Sequence, residues 1–563
     1  MNRPGLGVLA SLIALALLGF FQFPGHTWLQ QDTQIYIPIF ERLWDPTALP
    51  NDLVASKPHV SFTIYDETAI ALRWITRTSF EIVLESEQFI FRVLQLAGVY
   101  LLARALGLGR HPSIAVAAFF GLGATVIGPA VLTFEYEPTP RAFALGLLFL
   151  AVGLMVRGYP IVAGHASAGA ISSEPNKPTR GSAADQGVRP TLAGCAAGIA
   201  FLYHPPTAIP VWIVFILIAL HRRDYRLLIP LAGAAVTLAL AAHFQTGTTE
   251  PQPIFDRIDP GWEKLERFRA SYNWVGMWVD PLIWQYLFFW ALTLIAVWRV
   301  GRKCCQWFTL GLPLIGILSV PVSYVLTERL KWALMPQVQP ARALLWVTAF
   351  AAILSAAAGI RAAERRIWWE ALLWLTVVFA IPMQARIFEI TGVRLLLAIG
   401  LAVVACAAVA VKGHRFAKPA LALAIATPYF AIPVLGGVVN YPRLHTPELT
   451  QLADYARANT PQNAMFLFPD AGQAVYPGLF RADAIRDVYV DWKAGGQVNY
   501  FRSLAEDWWT RWQATMSGRD IAGNLPRFRA LGIDYIVLKR TNAIWGINGV
   551  YANDGYIVYR LDR

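Results

Sequence analysis

The sequence predicts a polytopic α-helical membrane protein of about 13 transmembrane helices, carrying a small C-terminal extracytoplasmic α/β domain. Three observations predict it. Of 563 residues, 56% are hydrophobic and only 15% are charged, a balance that no single soluble core needs. Apolar runs of span length recur from the N-terminus to about residue 440. The segments between them alternate between basic turns and segments rich in Asp, Glu, Trp and Pro. The net charge of +12 is spread over the basic turns, where it suits anionic lipid rather than nucleic acid.

In chain order, spans are predicted near 5–23, 87–107, 113–133, 141–157, 190–203, 206–221, 227–244, 280–299, 306–325, 342–360, 367–384, 393–411 and 419–440. The first follows Met1-Asn2-Arg3 with no small-x-small cleavage site after it, so it reads as a retained span rather than a signal peptide. The two spans flanking His204-Pro205-Pro206 are short and are open to reading as one kinked span. Arg104…Arg110, Arg157…Arg189, Arg222-Arg223, Arg299…Lys303, Arg361…Arg366 and Lys412…Lys418 all fall on one side, which the positive-inside rule places in the cytoplasm. The expected location is therefore the cytoplasmic (inner) membrane, with the N-terminus cytoplasmic and the C-terminal domain outside.

Within the membrane domain, residues 1–440, a first outer loop at 24–86 holds two amphipathic stretches, Ile35 to Trp44 and Ile64 to Phe80, suited to lie in the interface. Residues 158–189 read as a flexible cytoplasmic linker, rich in Ser, Gly, Ala and Pro. From 441 to 563 hydropathy falls and α/β alternation begins: helices near 447–459 and 500–514, strands near 464–468, 486–490, 535–539 and 556–561. The four cysteines form no CxxC pair, and none lies in the C-terminal domain.

Candidate site residues cluster in the outward segments. Asp32, beside Trp28 and Tyr36, suits a general base or a metal ligand, or a helix N-cap ahead of Thr33. Glu135 and Glu137, in Phe134-Glu135-Tyr136-Glu137-Pro138, face a cavity between helices, or pair with Arg141 to anchor the turn. Asp45 reads as turn chemistry, with Asp52 and Glu67 held as reserve site residues. His204 is placed to donate to a phosphate or a sugar hydroxyl, or to serve a carbonyl freed by the prolines. Arg329, Lys331 and Arg342 suit a lipid phosphate, or snorkel at the interface. Trp508-Trp509…Trp512 lie on one helical face, for packing or for a sugar ring.

This pattern resembles the integral-membrane glycosyltransferases of the GT-C superfamily. The resemblance rests on Asp32 in a long first outer loop with interfacial helices, on Glu135 and Glu137 in the second outer loop, on the many spans and on the outer α/β domain. It implies transfer of a sugar from a polyprenyl-phosphate-linked donor to a saccharide, lipid or protein acceptor at the outer membrane face, with an acid of the first loop, here Asp32, as base or metal ligand. Asp32 is followed by Thr33 and not by an acid, and Trp508-Trp509 by Thr510 and not by Asp. Both differ from the protein mannosyltransferase and oligosaccharyltransferase patterns and point to a separate bacterial branch. Mg²⁺ or Mn²⁺ held by Asp32, Glu135 and Glu137 is an optional cofactor. Arg141, His204, Arg329, Lys331, Arg342, Asp52 and Glu67 complete the expected substrate-binding set. A transporter or flippase for a lipid-linked saccharide is the alternative, as is a non-catalytic scaffold of the same architecture.

Overall fold

The computed structural model describes residues 3–22, 28–56, 63–158, 181–244, 255–279, 281–301, 306–412, 414–434, 444–516, 518 and 520–561. Among them, 8 helices are long and apolar enough to cross a membrane, and the shorter apolar helices Gly5–Phe20, Thr191–Tyr203 and Trp368–Met383 join them. The protein is a multi-pass membrane protein. The interfacial stretches of the first loop form separate helices, Thr33–Trp44 and Tyr65–Thr76. Residues 159–180 of the expected linker lie outside the described residues, and from Gly181 the chain is already helical to Tyr203.

Two predicted spans are redrawn. The span expected at 87–107 starts at Phe80, because the Ser79 hydroxyl accepts the Ile82 N–H at 3.4 Å and caps a helix that runs to Ala105. A Cβ on Gly98 would overlap the Phe149 backbone, so this glycine allows the helices Phe80–Ala105 and Pro140–Gly158 to pack almost backbone to backbone. The span expected at 113–133 is a correction: its helix, Arg110–Phe120, stops after 11 residues. The chain then turns through Gly123 (φ +73°) and Gly128 (φ +89°) into an antiparallel pair, Thr125–Val126 with Val131–Leu132. Hydropathy does not separate an apolar hairpin from an apolar helix; the left-handed glycines do.

His204 settles the neighbouring ambiguity. The Trp212 indole N–H donates to the Ala197 carbonyl at 3.1 Å, a contact possible only if the helices before and after His204 fold back on each other. They form a hairpin with His204 at its tip, not one kinked helix.

After the last apolar helix the chain forms a five-stranded sheet in the order Asp487–Val488, Met465–Leu467, Tyr535–Lys539, Tyr556–Arg560, Tyr551–Ala552. The first three strands are parallel and the last two pair antiparallel. This α/β region is joined to the first loop by a buried ionic network. Arg481, with no exposed surface, donates to Asp491 at 2.5 Å and to the Gln34 carbonyl at 3.1 Å, and lies 3.8 Å from Asp52. Asp52 in turn accepts the N–H groups of Val54 and Val488. Asp52, held as a reserve substrate-binding residue, is one of the groups that fasten the α/β region to the loop, its carboxylate taken up by the N–H groups of Val54, Ala55 and Val488 beside Arg481.

Candidate functional site

A cavity of about 520 Å³ opens where the α/β region meets one end of the helix bundle. Its lining brings together Asp32, Glu135, Glu137, Arg141, His204 and Arg342 from the bundle side. The opposite wall supplies Arg269, Tyr272, Trp492, Lys493, Gln497 and Tyr500.

The segment bearing Glu135 and Glu137 is irregular backbone that needs partners for its carbonyls. Gln95 donates to Thr133 O at 2.8 Å, and Arg92 donates to Glu135 O at 3.0 Å and Tyr136 O at 3.1 Å. Gln88 also donates to Tyr136 O, and the Tyr65 hydroxyl to Pro138 O. Residues 88, 92 and 95 share one face of the helix Phe80–Ala105, so a single polar stripe fixes the segment.

Held there, Glu137 reaches the start of the first loop: its carboxylate accepts the N–H groups of Gln31 at 2.6 Å and Asp32 at 2.8 Å, and the Thr33 hydroxyl at 2.6 Å. The N-cap reading of Asp32 is overturned, since its side chain makes no capping bond. With its backbone held by Glu137, Asp32 turns its carboxylate to Lys493, which donates at 2.9 Å, and to Arg141 at 3.7 Å. Arg141 also donates to Glu135 at 2.5 Å, so one guanidinium bridges the two acids.

Burial alone would raise the Asp32 carboxyl, but Lys493, Arg141 and Arg342 outweigh it and hold the group below the usual carboxylate range. Burial and the neighbouring Asp32 charge push Glu137 up to about 7, against the three hydrogen bonds it accepts. His204 accepts the Thr207 N–H on Nδ1 at 3.2 Å, which assigns the ring proton to Nε2. Burial, Arg342 and Arg141 depress its pKa, so it meets the cavity as a neutral donor.

Arg342 has a buried Nε with no hydrogen-bond partner among the described residues, and its guanidinium lies 5.8 Å from the Tyr272 ring centroid. Arg269 stacks on Trp492 at 4.6 Å and donates to its carbonyl at 2.9 Å. Trp492 rests on Trp508 and Trp512, both buried, so the tryptophan cluster packs beneath the wall rather than meeting a sugar.

Three expected residues lie elsewhere. Lys331 donates to Glu263 at 2.7 Å, and Arg329 sits 5.1 Å from the Tyr324 ring, neither of them lining the cavity. Glu67, in the first turn of Tyr65–Thr76, does not line it either. An optional divalent ion on Asp32, Glu135 and Glu137 does not fit the donor set: Asp32 and Glu135 are taken up by Arg141 and Lys493, and Glu137 by three protein donors. Among the described residues no group of three or more His, Cys, Asp or Glu could hold a metal.

Sequence reasoning missed Lys493, Arg269, Tyr272, Gln497 and Tyr500. A signal for Lys493 exists in Asp491-Trp492-Lys493-Ala494-Gly495-Gly496. A Cβ on Gly495 would come within 2.6 Å of Trp508, and one on Gly496 would overlap Ile35 of the first loop. Such paired glycines beside a Trp and a Lys mark a close approach.

Glu137→Gln tests the positioning role. One amide face would oppose an N–H it now accepts, leaving a buried donor unpaired at a cost of about 1–3 kcal/mol. Thermal unfolding should register that loss. A carboxyl raised on folding contributes its stability below its unfolded value of 4.5 and loses it as pH climbs to about 7. The variant should therefore lack the wild-type decline over that window.

No protein-family model matches the sequence, and no curated protein matches it. Among solved structures, the fold is similar to ArnT from Cupriavidus metallidurans in the apo state, at 13% identity and TM-score 0.45, covering 99% of this chain and 98% of that one. The same protein bound to undecaprenyl phosphate gives 13% identity and TM-score 0.47 over the same shares of both chains. The Archaeoglobus fulgidus oligosaccharyltransferase in complex with Zn and sulfate gives 15% identity and TM-score 0.40, over 94% of this chain and 68% of that one. What the cavity can do follows from its own residues.

Proposed function

We propose that the protein is a membrane glycosyltransferase that moves a sugar from a polyprenyl-phosphate-linked donor to an acceptor hydroxyl. The observation that carries this reading is the convergence, in one cavity beside apolar helices, of an ionised carboxylate, Asp32, and of Arg342, whose buried Nε has no hydrogen-bond partner among the described residues. The bundle accommodates the polyprenyl chain while the cavity takes the phosphate and the sugar. The acceptor oxygen attacks the anomeric carbon, the bond from that carbon to the phosphate oxygen breaks, and polyprenyl phosphate leaves.

Arg342, Arg141 and the Nε2–H of His204 stabilise the negative charge that grows on the leaving phosphate. Asp32 takes the acceptor proton. Its low basicity suits a proton that moves late, once bonding to carbon has acidified the hydroxyl. The reaction is taken to occur at the extracytoplasmic face of the inner membrane, with the basic turns inside.

A transporter is less well supported. The cations and acids of the cavity gather at one end of the bundle, and the buried Arg92, Gln88 and Gln95 are committed to backbone carbonyls rather than to a transmembrane path.

The test is purified protein given a labelled polyprenyl-phosphate sugar and an acceptor in excess EDTA. Label should leave the lipid at the rate seen without chelator, because the cations of the cavity do the work a divalent ion would do. Transfer abolished by EDTA and restored by Mg²⁺ or Mn²⁺ would contradict this reading of the carboxylates.

A further inference from the structure

The charges of the cavity pair off in a way that constrains the sugar. Asp32 is matched by Lys493 and Arg141, and Glu135 by Arg141. Among the described residues, the cavity cations that make no ion pair with a carboxylate are Arg269 and Arg342. Two unmatched cations balance a departing phosphate monoester, which carries up to two negative charges. No unmatched cation is then left for the sugar, and Glu137, which has no cation partner among the described residues, is already taken up by the N–H groups of Gln31 and Asp32 and the Thr33 hydroxyl.

What remains open to it is neutral and polar. Gln31, Gln473 and Gln497 line the same space, groups that both donate and accept hydrogen bonds as sugar hydroxyls do. Gln497 stands out, because it is 6% exposed and its Oε1 is buried with no hydrogen-bond partner among the described residues. A buried acceptor of this kind is costly unless a ligand donor meets it. It belongs to the short helical turn Ala494–Gln497, which follows directly on Lys493.

We propose that the transferred sugar is an uncharged polyhydroxy sugar, carrying neither a free amine nor a carboxylate, and that Gln497 accepts one of its hydroxyls. This rests on the glycosyl-transfer reading above. An ammonium on the sugar would stand among Arg269, Arg342 and Lys493, with Asp32 and Glu135 already ion-paired and Glu137 already accepting three protein hydrogen bonds. A sugar carboxylate would compete with the phosphate for the two unmatched cations. Neither penalty falls on a hydroxyl.

The experiment compares kcat/KM for donor loss across three polyprenyl-phosphate donors that carry a neutral pentose or hexose, an amino sugar with a free amine, and a uronic acid. The neutral donor should exceed both charged ones by about tenfold or more. A charged donor used equally well or better would overturn the inference while leaving glycosyl transfer standing. If no donor loses its sugar, the glycosyl-transfer reading fails and this inference with it. Gln497→Leu should cut neutral transfer about tenfold with an unchanged melting temperature. Gln497→Glu, which places a carboxylate where the amide stood, should narrow the neutral-to-amino ratio. A ratio and a rate unmoved by both variants would remove Gln497 from sugar recognition.

Discussion

Asp32→Asn should still fold and insert, at some cost in stability, while sugar transfer falls by roughly 10²- to 10⁴-fold, the usual worth of a general base. Asn keeps the side-chain volume, and the backbone N–H of residue 32 stays bound to Glu137. What is lost is the proton acceptor and the ionic partner of Lys493 and Arg141. Asp45→Asn is the matched control, since the Asp45 carboxylate binds the N–H and hydroxyl of Thr47 in its own turn. Because neighbouring cations hold Asp32 below the usual carboxylate range, it stays ionised as pH falls through its ordinary value of 3.8. Its contribution to stability and to catalysis is present above that value and is lost only in stronger acid. An acid limb in kcat/KM near pH 4 to 5 must then come from another group, and Asp32→Asn should lower the whole profile without moving that limb. Equal transfer by Asp32→Asn and Asp45→Asn would return the base role to Glu135 or Glu137.

Arg481→Met should be the most destabilising single change outside the bundle. It leaves Asp52 and Asp491 in the interior without their cation, a loss of about 3–5 kcal/mol for a broken buried pair. The consequence reaches the cavity through the chain. Asp491 accepts the Ala494 N–H at 2.6 Å, and its carbonyl accepts the Trp508 indole N–H at 2.8 Å, so it fixes the turn that presents Lys493 to Asp32. Melting temperature should drop and protease cleavage within residues 444–561 should rise, with transfer lost in parallel. Arg481→Lys should rescue little, because one ammonium cannot reproduce the guanidinium's bonds to Asp491 and to the Gln34 carbonyl. A stable, protease-resistant Arg481→Met protein would show that the α/β region is held by apolar packing instead.

Much of the fold was legible because hydropathy and period are local properties. The helix Pro447–Asn459 and the strand Tyr535–Lys539 fall where sequence reading puts them, as do most apolar helices. The strand Tyr551–Ala552 and the helix Tyr476–Ala484 have no such local signal. Two residues of strand carry no period, and the helix opens on a Tyr-Pro-Gly that reads as a turn. The hairpin at 125–132 was hidden because its apolar side chains suit a buried turn as well as a span.

Asp32, Glu135, Glu137, Arg141, His204 and Arg342 were visible as polar groups at the ends of apolar runs, and all of them line the cavity. Arg329 and Lys331 share that signature yet face Tyr324 and Glu263, since position at a helix end does not say which way a side chain turns. The other wall was out of reach for a different reason. Lys493 meets Asp32 across 461 residues of chain, and no local pattern reports such a pairing. The roles of the acids were equally hidden: Glu137 looks like Glu135 in sequence but is tied to the first loop by three hydrogen bonds.

The central claim is that the phosphate of a polyprenyl donor sits against Arg342 with its sugar toward Asp32. Structure determination of the protein with bound polyprenyl monophosphate tests it most directly. The phosphate is predicted within hydrogen-bond distance, about 2.7–3.2 Å, of the Arg342 guanidinium and His204 Nε2, with the chain leaving between the apolar helices. A phosphate lodged at Arg329 and Lys331, with the cavity around Asp32 left to solvent, would contradict it.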